Sequence, residues 1–342
     1  MKTLKWLGKR LMHSIGVLIG LSILIFLITR VMPGDPARVA LGARAPAPVV
    51  EALRQDMHLD EPIYVQYYFW LLGALKGDFG ESLFTRRAVV DDIKEFLPAT
   101  MELALCAGLL MAGIGVFLGA ISAKRENSWL DNSVRAVAYL GIVTPPFIFA
   151  ILFVFLLGYL LPIFPTMGRL STGVAVPPVV TGMVTIDAII SGNFRAFIDA
   201  LWHIFLPALS LAMAGIAQES RITRSSIIDN IRKDYVGAER SCGIPERRIL
   251  WKYLLRPSLI PTVSIMGLDF ACTLGNAFLV ELVFNWPGFS RYGINAMLRK
   301  DLNAVTAVIL VIGFVFLIVN IIVDLVITYL DPRIRLGAQR GK

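Results

Sequence analysis

Asp269 interrupts the apolar run Pro257–Val280 roughly midway, and Asn276 follows seven residues later, about two helical turns further along. An ionisable side chain at that depth is costly unless it faces a cavity or a partner. Two roles are open to it: lining a path that favours cationic or amine-bearing solutes, or making a buried hydrogen bond between helices. Asn320 and Asp324 are four residues apart, hence on one helix face, and read as structural. Glu102 and Glu281 fall near the outer ends of their apolar runs, where interfacial solvation lowers the cost, and neither has a clear partner in sequence. Covalent chemistry has no comparable candidates, since the sequence holds no paired carboxylates, nucleophile elbow or phosphate loop. His13, His58 and His203 are scattered, with no H-E-x-x-H or Cys/His cluster that would hold a metal. His203, near a membrane edge, reads as an interfacial hydrogen-bonder. Cys106, Cys242 and Cys272 fall in two apolar runs and a polar loop, which is no disulfide framework.

The elements that must position these residues are set by composition. With 56% hydrophobic and 17% charged residues, the chain departs from soluble proteins, where about a quarter is charged, and is read as an integral membrane protein. A hydrocarbon core of roughly 30 Å needs about 20 apolar residues. Such runs occur at Leu11–Thr29, Leu103–Ala123, Ala136–Leu161, Ala200–Gln218, Pro257–Val280 and Leu302–Leu330, giving six expected spans. A seventh uncharged run, Leu170–Ile186, holds Gly173, Pro177, Pro178 and Gly182 and reads as a loop. Charge parity supports that. Lys2, Lys5, Lys9 and Arg10 precede the first run, Lys124 and Arg125 follow the second, nine basic residues lie in Arg221–Arg256, and Arg333, Arg335, Arg340 and Lys342 follow the last. All four groups share the cytoplasm only if Leu170–Ile186 does not cross. The net charge of +8 therefore calls for no nucleic acid. Leu11–Thr29 exceeds the apolar core of a signal peptide, and Met32-Pro33-Gly34-Asp35 is no small-residue cleavage site, so the first run is expected to stay as a membrane helix.

Val31–Pro98 is too polar for the bilayer and reads as an extracytoplasmic segment with a helix over Pro62–Lys76, whose face Tyr64, Tyr67, Tyr68, Trp70 and Leu71 suits a membrane-surface belt, a wall over the pore or ordinary packing. Pro145-Pro146 should kink or end the third run. Gly16/Gly20, Gly115/Gly119 and Ala271/Gly275 are spacings that allow close helix approach.

The basic insert Asp234–Pro261 is the other distinctive feature. A helix continuing from the fourth run to Cys242 places Tyr235, Ala238 and Cys242 on one semi-apolar face. Gly243 then suits a helix C′ position, Pro245 can open a second helix over Pro245–Leu255, and Pro257 is expected to end it. Bare physics leaves three readings: an amphipathic segment on anionic lipid, a docking surface for a cytosolic partner, or a solvated loop.

A resemblance chooses among them. MPGDP at Met32–Pro36, GDFGESL at Gly77–Leu83, LPATMELA at Leu97–Ala104, RITRSS at Arg221–Ser226, ELVFNWPGFSR at Glu281–Arg291 and NIIVDLVITYLDPRIR at Asn320–Arg335 occur in order along most of the chain. Together with Ala238, Gly243, Ile260 and Pro261 they resemble the permease subunits of peptide/nickel-type bacterial ABC importers, the dipeptide/oligopeptide B-type subunit in particular. Gly237, Ala238, Glu239, Arg240, Ser241 and Cys242 depart from the more typical R-T-A-R-A-K before Gly243, and Tyr253-Leu254-Leu255-Arg256-Pro257 stands where H-A-L-R-N is usual.

The resemblance implies an all-α membrane protein with six transmembrane helices in the type I importer (MetI-like) permease fold. Its expected parts are a first helix with an extracytoplasmic helical segment (1–98), a core transmembrane domain (99–331) with a coupling loop (225–257), and a cytoplasmic tail (332–342). It implies an inner-membrane location with both termini cytoplasmic. The implied partners are a homologous second permease, two ATPase subunits and an extracytoplasmic substrate-binding protein. No G-x-x-x-x-G-K-[ST] pattern occurs, so ATP and Mg are expected on the ATPases, with no cofactor on this chain. The coupling residues implied are Asp234, Tyr235, Gly237, Ala238, Glu239, Arg240, Gly243 and Pro245. The expected function is ATP-driven import of peptides or similar polar solutes by alternating access, without covalent chemistry on this chain. An ion-coupled secondary transporter using Asp269 and Asp324 is the alternative, and a membrane hydrolase the third.

Overall fold

The computed structural model describes residues 2–31, 36–42, 44–56 and 58–330. Over these residues the chain is helical, and the one strand-type pairing among them is an isolated bridge between Glu81 and Ala88. Most of the MPGDP motif and everything beyond Leu330 lie outside the described residues.

Helix α1 (Lys2–Val31) is followed by α2 (Pro36–Leu41), α3 (Ala47–Asp56) and α4 (Ile63–Leu75). Pro62 caps α4 at its start and Lys76 at its end, matching the helix expected there. The aromatic face of α4 divides in two. Tyr67 hydrogen-bonds Ser22 of α1 at 2.8 Å and, with Trp70, packs around Phe26 at ring distances of 5.3 and 5.5 Å. Tyr64 and Tyr68 stay exposed.

Helix α5 (Val89–Leu110), a π-helical turn (Met111–Gly115) and α6 (Val116–Lys124) form one rod of 36 residues. It starts well before the expected span because Asp91 and Asp92 in the first turn favour the positive helix end. The boundary drawn at residue 98 thus falls inside a continuous helix, with Pro98 in its interior. The span expected at Ala136–Leu161 is corrected more sharply. Helix α7 (Trp129–Val143) and helix α8 (Pro146–Phe153, continued by π-helical Val154–Leu160) meet at 110°. Thr144 is extended (φ −87°, ψ 122°), the conformation that a following proline imposes, and Pro145 brings no N–H to continue the ladder.

Residues 161–183 contain no helix before α9 (Val184–Ile190). Irregular backbone of that length cannot cross lipid, so the Leu170–Ile186 run is a loop, as charge parity requires. Asp187 ties it down by accepting from Thr181 N and Oγ1, each at 2.7 Å, and from Gly182 N at 3.0 Å. Burial works against this carboxylate, yet those donors hold it below the usual range.

Helix α10 (Phe194–Ile231) has 38 residues, about 57 Å at 1.5 Å per residue, and α5, α6, α7, α8 and α13 pack on it. Glycines set how closely. A Cβ on Gly119 would stand 2.6 Å from the Ser220 carbonyl, and one on Gly115 would stand 2.8 Å from Glu219 Cβ. Gly16, Gly20 and Gly275 face open space, so only the Gly115/Gly119 spacing serves close packing within the chain. The remaining helices are α11 (Asp234–Ser241), α12 (Glu246–Arg248), which passes through π-helical Ile249–Leu254 into α13 (Leu255–Val283), then α14 (Phe289–Leu298) and α15 (Leu302–Leu330).

Among the described residues four stretches are long and apolar enough to cross a membrane, Val89–Lys124, Phe194–Ile231, Glu246–Val283 and Leu302–Leu330; the bent α7–α8 pair is a fifth if counted as one span. Within α1 the apolar stretch is Met12–Ile28. The main core joins Leu103 and Met111, Leu206 and Leu211, and Val280 to Trp286, whose Nε1 donates to the Ala99 carbonyl at 2.9 Å.

Gly119→Leu is expected to lower the thermal unfolding midpoint of the purified protein, by an overpacking penalty of about 1–3 kcal/mol. Gly20→Ala, which points into open space, should leave it unchanged. Equal midpoints for both variants would contradict the close approach to α10.

Candidate functional site

The helix expected to run unbroken from the fourth span to Cys242 is interrupted. Lys233 is extended (φ −81°, ψ 148°), and α11 restarts with Asp234 in its first turn. Val236 is the buried residue of α11. It reaches Ala120 and Ala123 of α6, Ile227 of α10, and Ile249, Leu250 and Leu254. Because Val236 faces inward, the semi-apolar stripe Tyr235, Ala238 and Cys242 faces outward, as do Asp234, Gly237 and Arg240. Burial, then the Glu239 carboxylate, raise the Tyr235 phenol above its usual range, which keeps it a neutral donor. Glu239 is half-buried and its Oε2 has no partner among the described residues.

Gly243 ends α11 at φ 75°, where a side chain would be strained although nothing lies within 4 Å of a Cβ built there. Gly243 N donates to Arg240 O at 2.9 Å and Ile244 N to Glu239 O at 3.2 Å, a Schellman pairing that satisfies the last carbonyls of the helix. Pro245 (φ −66°, ψ 140°) then caps α12, and Arg240 Nε meets Glu246 Oε1 at 2.7 Å across the turn.

The second helix is not a separate short one, and Pro257 does not end it. Glu246–Val283 is continuous over 38 residues. The widened π-helical turn Ile249–Leu254 ends three residues before Pro257 and takes up the ladder position at which proline offers no N–H. The insert is thus α11 alone, lying beside a lever continuous with α13.

Two polar ties join this lever to the bundle and a third joins α7 to α10, and spacing gave no sign of them. Asn230 Nδ2 donates to Ser258 Oγ at 2.9 Å, and Thr223 Oγ1 meets Thr262 Oγ1 at 3.0 Å, linking α10 to α13. Fully buried Asp131 at the start of α7 accepts Arg224 Nε and Nη2 of α10 at 2.6 and 2.7 Å, Asn127 N at 2.9 Å, and Ser122 Oγ. The signal available in sequence was Arg224 itself, a cation in a stretch that packs against membrane helices.

Asp269 lies at the middle of α13, part-exposed, with its Oδ2 enclosed and without a partner among the described residues. Cys272 and Asn276 are exposed on the same side of α13, so the structure places Asp269 and Asn276 on one polar stripe without direct contact, roughly 10 Å apart along the axis. Sequence reasoning passed over Glu219. It is fully buried on α10 against Gly115, and neither carboxylate oxygen has a partner among the described residues.

Glu102 and Glu281 are not solvated at the interface as expected. Glu281 is fully buried and accepts Thr100 Oγ1 at 2.5 Å and Arg291 N at 2.7 Å. Glu102 accepts Arg169 Nη2 at 2.5 Å and Thr185 N at 2.6 Å. Each costs little where it lies because donors from other parts of the chain, Thr100 on α5, Arg291 on α14, Thr185 on α9 and Arg169 in the loop before it, replace water. His203 Nδ1 bonds Asp199 O at 2.8 Å, and Asn320 Nδ2 donates back to Phe316 O at 2.9 Å. No group of three or more His, Cys, Asp and Glu suited to a metal occurs among the described residues.

Against this geometry the sequence matches the family model described as "Binding-protein-dependent transport system inner membrane component" over residues 115–336. The N-terminal model of the same type of membrane component matches residues 3–104. The chain is 39% identical over 321 residues to the "Probable D,D-dipeptide transport system permease protein" of Escherichia coli (strain K12), covering 94% of each. It is 34% identical over 329 residues to the dipeptide transport system permease protein of Alkalihalophilus pseudofirmus, covering 96% of this chain and 98% of that one. It is 32% identical over 332 residues to the glutathione transport system permease protein of Escherichia coli (strain K12), covering 97% and 99%. With both models and relatives spanning nearly its whole length, the chain belongs to the inner-membrane permease components of binding-protein-dependent transport systems.

Proposed function

We propose that this multi-pass inner-membrane permease carries peptides or similar polar solutes inward by alternating access, with α11 as the handle gripped by an ATPase. The observation that carries the proposal is the inversion of α11: its one buried residue, Val236, fixes it to the bundle, while Tyr235, Ala238 and Cys242 are turned outward. The relatives supply the cargo class, since their names specify D,D-dipeptides, dipeptides and glutathione. Membership of a binding-protein-dependent family leaves the ion-coupled alternative, with Asp269 and Asp324 as carriers, without support.

In this reading the chain pairs with a second homologous permease, two ATPase subunits hold ATP and Mg, and a binding protein delivers cargo from the other side. Six spans cross the membrane, with the bent α7–α8 pair taken as one and both termini cytoplasmic. Asp234, Tyr235, Gly237, Ala238, Glu239 and Arg240 meet the ATPase, and Gly243 and Pro245 fix the angle at which they are offered. The open carboxylate oxygen of Glu239 supports a partner that donates a hydrogen bond there. Asp269 and Asn276 line the path. The polar stripe they form with Cys272 is poorly suited to lipid.

Gly243→Val should strain the turn by about 1–2 kcal/mol without a clash, because open space surrounds the position. The assembled transporter should then insert and bind its ATPase subunits while losing ATP-driven uptake. Normal uptake in that variant would remove the coupling role. Asp269→Asn should reduce uptake of amine-bearing cargo more than of neutral cargo in the same vesicles; unchanged selectivity would take Asp269 out of the path.

A further inference from the structure

At the end of the bundle away from α11 lies a cleft of about 520 Å³, lined by Phe84, Phe96, Arg169, Asn285, Arg291 and Asn295 among others. Its size falls in the range of small-molecule sites, about 300–1,000 Å³, and its concavity suits a solute rather than a flat protein face. Two cations line it, and a third lies over a lining aromatic ring. Arg169 is held in place by Glu102 and by the Gly182 carbonyl at 2.9 Å, its guanidinium lies 5.5 Å from the Trp286 ring centroid, and its Nε is enclosed without a partner among the described residues. Arg291 Nη1 donates to Asn285 Oδ1 at 2.9 Å, and the side chain forms no ion pair among the described residues. Arg299 lies over the Phe84 ring at 4.3 Å.

No acidic side chain lines the cleft. The nearby carboxylates are already engaged, Glu102 by Arg169 and Glu281 by Thr100 and the Arg291 backbone amide. Arg291, prepositioned by Asn285 and not neutralised by a carboxylate among the described residues, is a receptor for a carboxylate, which accepts two parallel hydrogen bonds from a guanidinium, while Arg169, paired with Glu102, forms the opposite wall.

We propose that the Arg169–Arg291 cleft binds the free carboxylate of the cargo as it passes from the binding protein into the permease. This rests on the peptide reading given above, since an unmodified peptide carries such a group at its C-terminus. The cleft and Asp269 have opposite preferences and act in sequence. From Asp269 to the end of α13 at Val283 is fourteen residues, about 21 Å, whereas a dipeptide spans at most about 7 Å.

The test is ATP-dependent uptake of dialanine and of its C-terminal amide by the complete transporter in proteoliposomes, with and without Arg291→Gln. The Arg291 backbone amide still reaches Glu281 in this variant, so the fold around α14 is retained. The ratio of uptake efficiencies, free acid over amide, should fall about tenfold, the scale of one charged hydrogen bond. An unchanged ratio, or equal losses for both compounds, overturns the site. Should Arg291→Gln fail to assemble, Asn295→Asp places a negative charge at the same lining and must lower the same ratio; an unchanged ratio there also overturns it. If the unaltered transporter imports neither compound although its ATPase is active, the peptide reading fails, and this site with it.

Discussion

The seating of Val236, Ile244, Ile249, Leu250 and Leu254 against α6 and α10 is the interaction on which the working parts depend. Each buried aliphatic side chain contributes up to about 1.5–3 kcal/mol relative to exposure. By comparison the exposed Arg240–Glu246 pair adds little. Apolar burial therefore holds α11 in place, and its outward residues carry little of that anchoring. That separation of an anchored face from an offered face makes the segment a handle rather than a loop.

A handle is useful only if its motion reaches the membrane helices. The π-helical turn before Pro257 lets α12 run on into α13, so displacement at Pro245 is carried along one rigid element to Asp269 and beyond. Asn230–Ser258, Thr223–Thr262 and Asp131–Arg224 tie that element and α7 to α10. Single hydrogen bonds between membrane helices average about 0.6 kcal/mol. The two α10–α13 ties can exchange between two arrangements more readily than the close contacts of Gly115 with the Glu219 side chain and of Gly119 with the Ser220 carbonyl. The bundle thus has a fixed seam at α6–α10 and looser seams at α10–α13, as a transition between two states requires. Binding of the ATPase shifts that balance only through contacts that differ between the states.

Much of this was legible in the sequence for local reasons. Glycine and proline content with charge parity excluded Leu170–Ile186 from the membrane, and Gly243 and Pro245 announced the turn between α11 and α12, because backbone constraints at glycine and proline act within a few residues. Pro257 misled for the same reason: its effect depends on the turn before it, and a π-helical turn has no sequence signature. Glu102 and Glu281 were misplaced at the solvated interface because their donors, Arg169, Thr100 and Arg291, come from elsewhere in the chain. Asp131–Arg224 and buried Glu219 were invisible likewise, since long-range pairing leaves no periodicity. Asp269 stood out because one charge in an apolar run needs no partner to be conspicuous.

The central claim is that the outward face of α11 is covered by the ATPase. Cys242, exposed at the end of α11, is a native reporter, and Cys106 and Cys272 are replaced by serine so that it is the one thiol read. The direct measurement is the rate at which a membrane-impermeant maleimide modifies Cys242 in inside-out vesicles, with the permease alone and with its ATPase subunits assembled. The account predicts rapid modification alone and strong protection in the assembly. Equal rates in the two preparations would contradict it.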